Sequence, residues 1–382
     1  MARSLGGREP SRRLLIAVRT GQSRLALLAC LGAAILIAAC ASGTDKSSAG
    51  ISLSSPTPAE LVGQTIVVRM PGRRPTSGLL DRIRAGQIGG VVLFSENYGA
   101  AGPARLIATL QEAARAGGRP PLLIAIDQEG GLVKRLPGPP SLAPAQMRTV
   151  GVARAQGLAT GSSLGALGVN TDLAPVLDVG HGGFITPRTF GSSPGQVAAR
   201  GVAFAAGLAN AGVFATGKHF PGLGYAPTTT DTSQTVVTAS RARLEADLLP
   251  FRKAIAAGIP MIMVSTASYP RLGSSLPAAC SAAIVGSLLR RQLGFTGVAM
   301  TDALDTPAVH TRFTTGAAAV AAIQSGIDLV LAVGTTSGGS ETDWRETYRA
   351  LLAALRDGEL PRQTLVRAYA RIVQLKADIA LH

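Results

Sequence analysis

The chain is short of cysteine, histidine, aromatic residues and acids, and each shortage excludes something. Its three cysteines, Cys30, Cys40 and Cys280, cannot supply a disulfide framework. Its four histidines are His181, His219, His310 and His382, and no clustered His/Cys/Asp ligand spacing surrounds them. Neither a metal nor any other cofactor is expected. Aromatics make up only 4% of the chain, yet 46% is apolar and there are 46 glycines. That balance excludes a disordered protein and suits helices and sheet joined by tight turns. Acids number 22 against 37 bases, a formal charge of +15. Beyond the N-terminal region there is no block of five bases and no interleaving of bases with aromatics. Nucleic acid is therefore not an expected partner. A scattered positive surface fits solubility, or closeness to anionic lipid or wall polymer.

The first forty residues read as a leader rather than as fold. A stretch with six arginines ends at Arg24, and "LALLACLGAAILIAAC" follows. This apolar run is too short for a comfortable membrane span and suits the core of a signal peptide. It closes on Ile37–Cys40, "IAAC", which resembles a bacterial lipobox. That resemblance implies cleavage before Cys40 and lipid on its thiol and new amine; the alternative is an ordinary signal peptide with an incidental cysteine. Residues 1–39 are expected to be the leader and 40–58 a lipidated cysteine with a flexible Ser/Gly/Pro-rich tether. The expected location is the extracytoplasmic face of the cell membrane, held by the anchor.

From residue 59 to 382 one domain is expected. Eight short apolar runs recur: 61–68, 89–94, 121–127, 169–176, 214–220, 260–266, 297–303 and 328–333. Between them lie stretches of helical period that end near glycine, such as "PARLIATLQEAARAG" and "SAAIVGSLLRRQLG". Strands alternating with helices imply a parallel sheet, and eight of them imply an α/β fold of the (β/α)8 barrel type. An open dinucleotide-binding sheet would need a Gly-rich fingerprint after the first strand, where "RMPGRRP" stands. Barrel chemistry gathers at the C-terminal ends of strands. Asp127, Asp172, Lys218, His219 and Asp302 all fall there, and a charge in an apolar strand is costly unless it is paired or serves a site.

The segments "GGVVLF", "IAIDQEGGLVKRL", "GVNTDLAPVLDV", "PRTFGSSP", "GKHFPGLG" and "GFTGVAMTDAL" resemble, in order, glycoside hydrolase family 3, and specifically its single-domain β-N-acetylhexosaminidases. The resemblance implies a retaining β-glycosidase acting on N-acetylglucosamine in peptidoglycan fragments or glycoconjugates. It places the nucleophile on Asp302, whose alternative role is a helix N-cap. It makes Asp127 and Arg188 contacts to the sugar, with Lys218 and His219 donating to its hydroxyls. Gly130 and Gly131 would let the backbone turn sharply beside the ligand. Arg135 and Lys134 follow, with the site and solvent both open as their direction. Asp305 lies in the Asp302 turn, and the family pattern does not select it.

One loop departs from the pattern. The family usually reads Pro-Gly-His-Gly and then Asp-Ser-His after "KHF", and the second histidine donates the proton. Here Leu223 holds the first position, and Asp231-Thr232-Ser233 replaces the Asp-x-His motif. Thr266, in "VSTAS", stands near another family histidine. Ser233 is too feeble an acid to replace imidazole, and general-acid help is worth about 10²–10⁴ in rate. Asp231 is the candidate acid/base, suited if dehydration or Asp302 raises its pKa; Tyr225 is a weaker one. The expectation is thus a glycosidase with a substituted acid/base. The alternatives are a glycan-binding lipoprotein without turnover, and a phosphorylase or transferase.

Overall fold

The computed structural model describes residues 56–99, 102–334 and 339–381. All eight apolar runs contribute barrel strands, in the expected order. These are β1 (Ile66–Arg69), β2 (Gly90–Leu93), β3 (Leu123–Ile126), β6 (Thr171–Asp172), β7 (Phe214–Phe220), β8 (Met261–Val264), β11 (Val298–Ala303) and β12 (Leu329–Ala332). They close into a barrel, running β1-β12-β11-β8-β7-β6-β3-β2, with β1 also pairing β2. Every barrel pairing is parallel. The chain therefore has the (β/α)8 architecture. Two antiparallel hairpins stand outside the barrel: β4 (Gln128–Gly130) with β5 (Val133–Lys134), and β9 (Ser268–Tyr269) with β10 (Ser274–Pro277).

The outer helices are α1 (Pro58–Gly63), α2 (Ser77–Arg84), α3 (Ala104–Ala116), α4 (Val150–Gly165), α5 (Pro194–Asn210), α6 (Arg241–Asp247) and α7 (Leu249–Ala256). After them come α8 (Pro307–His310), α9 (Thr315–Ser325), α10 (Gly339–Arg356) and α11 (Arg362–Ala377), with a π-helical turn over Ala283–Gln292 before β11. The expected first strand, 61–68, is corrected at its start. Leu61–Gly63 complete α1, because Thr57 and Glu60 form a capping box and Pro58 opens the first turn.

The core has two shells. Inside the barrel, Val67, Val92, Leu123, Leu173, Met261, Met263, Met300 and Leu329 pack on one another, joined by Ile372 and Leu375 of α11. Outside, Val68, Val91, Ile124, Ile262 and Val330 face the helices. Strands buried on both sides read as unbroken apolar runs, which is why sequence alone located them. Helices α4 and α5 meet closely: a Cβ at Gly157 would lie 2.2 Å from the Phe204 carbonyl oxygen. Cys280 is buried, and burial pushes its thiol up to about 12, so it is a small hydrophobe here. Among the described residues no helix is long and apolar enough to cross a membrane. Cys40, the leader and residues 41–55 lie outside the described residues.

Candidate active site

At the C-terminal ends of the strands lies a cavity of about 280 Å³, small enough to suit a single sugar ring. Asp127, Arg135, Arg188, Lys218, His219, Asp231 and Asp302 all line it. Seven side chains spread over 176 positions of sequence thus share one wall. Val92, Phe94, Leu173, Met263 and Leu331 supply an apolar floor. A larger groove of about 830 Å³, between α1, α10 and α11, is lined by Pro58, Leu352, Leu355 and arginines and carries no carboxylate.

Each polar side chain is placed by its element. Asp127 ends β3, and its Oδ1 accepts from Lys218 Nζ at 2.7 Å. The same ammonium reaches Glu129 Oε1 at 2.6 Å, and Arg188 grips Glu129 through Nε and Nη2 at 2.9 and 2.7 Å. Lys218 is only 2% exposed and Glu129 1%, so the network is almost dry. Burial opposes ionisation of Asp127, but the charges of Lys218 and Arg135 outweigh it and hold the carboxyl at about 2. Burial works against Glu129 in the same way; Lys218 and Arg188 hold it below the usual carboxylate range. Arg135 Nη2 stands 3.4 Å from Asp127 Oδ2, and its Nε has no partner among the described residues. Arg135 therefore faces the cavity; Lys134 is not part of its lining.

The hairpin β4–β5 delivers Glu129 and Arg135. Gly130 and Gly131 turn it with φ of +94° and +62°, as the sequence leads one to expect. A Cβ at Gly130 would lie 2.5 Å from the Leu142 carbonyl oxygen.

His219 follows Lys218 on β7. Its Nδ1 pairs with Asp178 Oδ2 at 2.7 Å, and Asp178 also accepts from the Leu223 N–H at 2.7 Å. Asp178 is fully buried; burial raises its pKa, but His219 more than compensates and keeps the carboxyl low. Its Nε2 lies 3.5 Å from Arg188 Nη2. Leu223, in place of the family histidine, adds apolar surface to the cavity wall.

Asp302, on β11, is half-buried. The Ala303 N–H donates to its Oδ1 at 2.8 Å. It is no helix cap: the next helix begins at Pro307 with Thr306 at the N-cap. Burial is the largest influence on its pKa and raises it; Asp231 adds to the rise, while His219, the Ala303 N–H and Lys218 offset part. Asp231 is exposed on the loop after β7, with Oδ2 accepting from Thr229 Oγ1 at 3.0 Å.

Several expected residues stand elsewhere. Asp172 ends β6 but does not line the cavity. It is fully buried, its Oδ1 accepts from the Gln128 N–H at 3.0 Å, and its Oδ2 has no partner among the described residues. Burial pushes it up to about 8. Asp305 is also buried and outside the lining. Tyr225 is removed as a proton donor, because its ring stacks on His181 away from the cavity. Ser233 and Thr266 do not reach the cavity either.

Sequence reasoning missed Glu129 and Asp178. Asp178 carries the signal used for the others, an acid inside the apolar run "PVLDV". Glu129 lies two residues beyond Asp127, the spacing that returns a strand side chain to the same face.

Comparison with known proteins agrees with this geometry. The β-hexosaminidase of Alkalilimnicola ehrlichii is 38% identical over 259 residues, 64% of this chain and 73% of that protein. A glycoside hydrolase family 3 β-N-acetylglucosaminidase from Paenibacillus superposes with a TM-score of 0.81 at 33% identity, over 86% of this chain and 63% of that longer one. The β-N-acetylhexosaminidase of Beutenbergia cavernae gives a TM-score of 0.76 at 31% identity, over 85% of this chain and 99% of that one. With a family model described as the glycosyl hydrolase family 3 N terminal domain matching residues 59–375, the chain belongs to glycoside hydrolase family 3.

Proposed function

We propose that the protein is a retaining β-glycosidase that removes terminal N-acetylhexosamine, and N-acetylglucosamine in particular, from cell-wall fragments or glycoconjugates. The observation that carries this reading is the meeting of Asp302 with Asp127, Lys218, His219 and Arg188 around one small cavity. Its volume supports one bound sugar ring, hence attack at a chain end. Asp127, ionised and acceptor-only, accepts hydrogen bonds from sugar hydroxyls. Lys218, Arg188 and Arg135 donate to its oxygens. Asp302 attacks the anomeric carbon as the glycosidic bond breaks, forming a glycosyl ester; water then cleaves that ester and returns the carboxylate. Asp231 donates the proton to the departing oxygen and then takes one from water. Both carboxyls line the one cavity, and Asp231 stands near enough for its charge to be felt at Asp302, which supports such a pairing.

The relatives named β-hexosaminidase and β-N-acetylglucosaminidase support the sugar. The leader and the lipobox-like "IAAC" support an extracytoplasmic protein anchored through Cys40. Asp302→Asn tests the reading: hydrolysis of an aryl N-acetyl-β-glucosaminide should fall at least ~10⁴-fold, the scale on which nucleophile loss acts elsewhere. Retained turnover would remove Asp302 from the reaction.

One observation favours a second reading, a glycan-binding lipoprotein with impaired turnover. Leu223 and Ser233 replace both loop histidines, and Asp231 is exposed. In that case Asp231→Asn would leave sugar affinity and a feeble basal rate unchanged.

A further inference from the structure

The loop that carries Asp231, residues 221–235, is tied at both ends. At its start the Leu223 N–H donates to Asp178, and Tyr269 Oη donates to the Gly222 carbonyl at 3.0 Å. At its end the Ser268 N–H donates to the Thr235 carbonyl, and Val236 bridges Ser268. Between these ties, the side-chain hydrogen bonds of Thr229 and Asp231 close within the loop. In its first half the loop packs on the rest of the protein at Gly224, Tyr225 and Ala226, the last 3% exposed, and Thr230 is buried further along. Tyr225 stacks on His181 with ring centroids 3.8 Å apart and planes 13° apart, and Arg243 stands 5.9 Å from the same ring. His181 Nε2 is held by Asp247 Oδ2 at 2.8 Å. The seat is tight: a Cβ at Gly224 would lie 2.0 Å from the Val179 carbonyl oxygen and 2.9 Å from His181 Cδ2.

Three elements meet here: the loop after β6 through His181, the loop after β7 through Tyr225, and α6 through Asp247 and Arg243. Asp247 is 6% exposed on its side chain, and a buried carboxylate is costly unless a donor holds it. His181 is that donor, and its ring face is the surface on which Tyr225 rests. The Tyr225 hydroxyl makes no hydrogen bond among the described residues, so the ring is what the seat uses.

We propose that His181 is a positioning residue: held by Asp247 and stacked on Tyr225, it seats the first half of the 221–235 loop and so helps to place the group that this loop offers to the departing half of the substrate. The proposal rests on the glycosidase reading and concerns only the leaving-group side of the reaction. Asp302 lies on β11 and Lys218 and His219 on β7; Arg188 shares the loop after β6 with His181, but it is Glu129 that holds its guanidinium.

The test is the leaving-group dependence of kcat/KM, measured across aryl N-acetyl-β-glucosaminides from nitrophenyl to unsubstituted phenyl. A good leaving group needs little protonation, and a poor one needs it fully. His181→Ala should cost ~10–100-fold on the poorest leaving group, the effect expected of a misplaced catalytic group, and under about 3-fold on nitrophenol. His181→Phe keeps the stacking face and should recover part of the loss. Tyr225→Phe should match wild type. His181→Ala with Tyr225→Ala should be no worse than Tyr225→Ala alone, because both act through one contact.

Equal loss on all leaving groups, no loss on any, or additive losses in the double variant would overturn the proposal; an equal loss tracking a lowered Tm would mark His181 as merely structural. Asp231→Asn separates the two levels. If His181→Ala steepens the dependence and Asp231→Asn does not, the seat stands and the loop presents another group. If Asp231→Asn steepens it and His181→Ala does not, the seat is wrong and the acid assignment survives.

Discussion

Asp302 carries a conflict that only a neighbour can adjust. As a nucleophile it must be ionised, yet burial raises its pKa and Asp231 raises it further. With a nitrophenyl substrate, activity should rise with pH as Asp302 loses its proton. Asp231→Asn deletes a negative charge, so the acid limb of that profile should move to lower pH. An unmoved limb would show that the two carboxyls do not sense each other. His219 shows what the sequence hides at this scale. Its presence in "KHF" was readable, but its orientation depends on Asp178, forty-one positions earlier, which accepts a hydrogen bond from Nδ1 and leaves Nε2 toward Arg188. Lys218 is similar: the sequence shows a cation on an apolar strand, while the pair of carboxylates that makes its burial tolerable comes from the end of β3 and from β4.

Asp172, at the end of β6, holds the first residue of the hairpin β4–β5. Asp172 Oδ1 accepts from the Gln128 N–H, and the carboxyl titrates near 8 in the fold against about 3.9 in an unfolded chain. Over that window the folded protein keeps a proton that the unfolded chain has lost. The resulting stability is full at low pH and is lost as pH rises toward 8. Asp172→Asn keeps the acceptor and cannot ionise, so its Tm relative to wild type should rise between pH 5 and pH 8. A constant difference would place the titration elsewhere. Elements were readable where their physics is local. Eight strands buried on both faces gave eight apolar runs, and α1 was misplaced only because "LVG" continues the apolar run of β1 while its cap lies upstream at Thr57. The hairpins were not readable, because "QEG" and "VK" are too short to show alternation.

At the scale of the molecule, closure of the barrel turns a linear order of motifs into a ring of side chains. Asp127, Lys218, His219 and Asp302 sit on or at the ends of three strands, and only the circular order β11-β8-β7-β6-β3 brings them to one rim. The opposite mouth is closed by α11: Ile372 and Leu375 join the barrel interior, and buried Lys376 donates to Gln64 Oε1 at 2.7 Å and to the Gly89 carbonyl at 2.6 Å. The seat of the Asp231 loop, by contrast, joins residues 181, 225 and 247 through stacking and one hydrogen bond, a meeting with no periodic signal along the chain. The most direct measurement is covalent trapping with 5-fluoro-N-acetylglucosaminyl fluoride, whose leaving group needs no acid and so bypasses Asp231. Intact mass should rise by one sugar, peptide mapping should place it on Asp302, and Asp302→Asn should take up none; no adduct in the wild-type protein, or an adduct on another side chain, would contradict nucleophilic attack by Asp302.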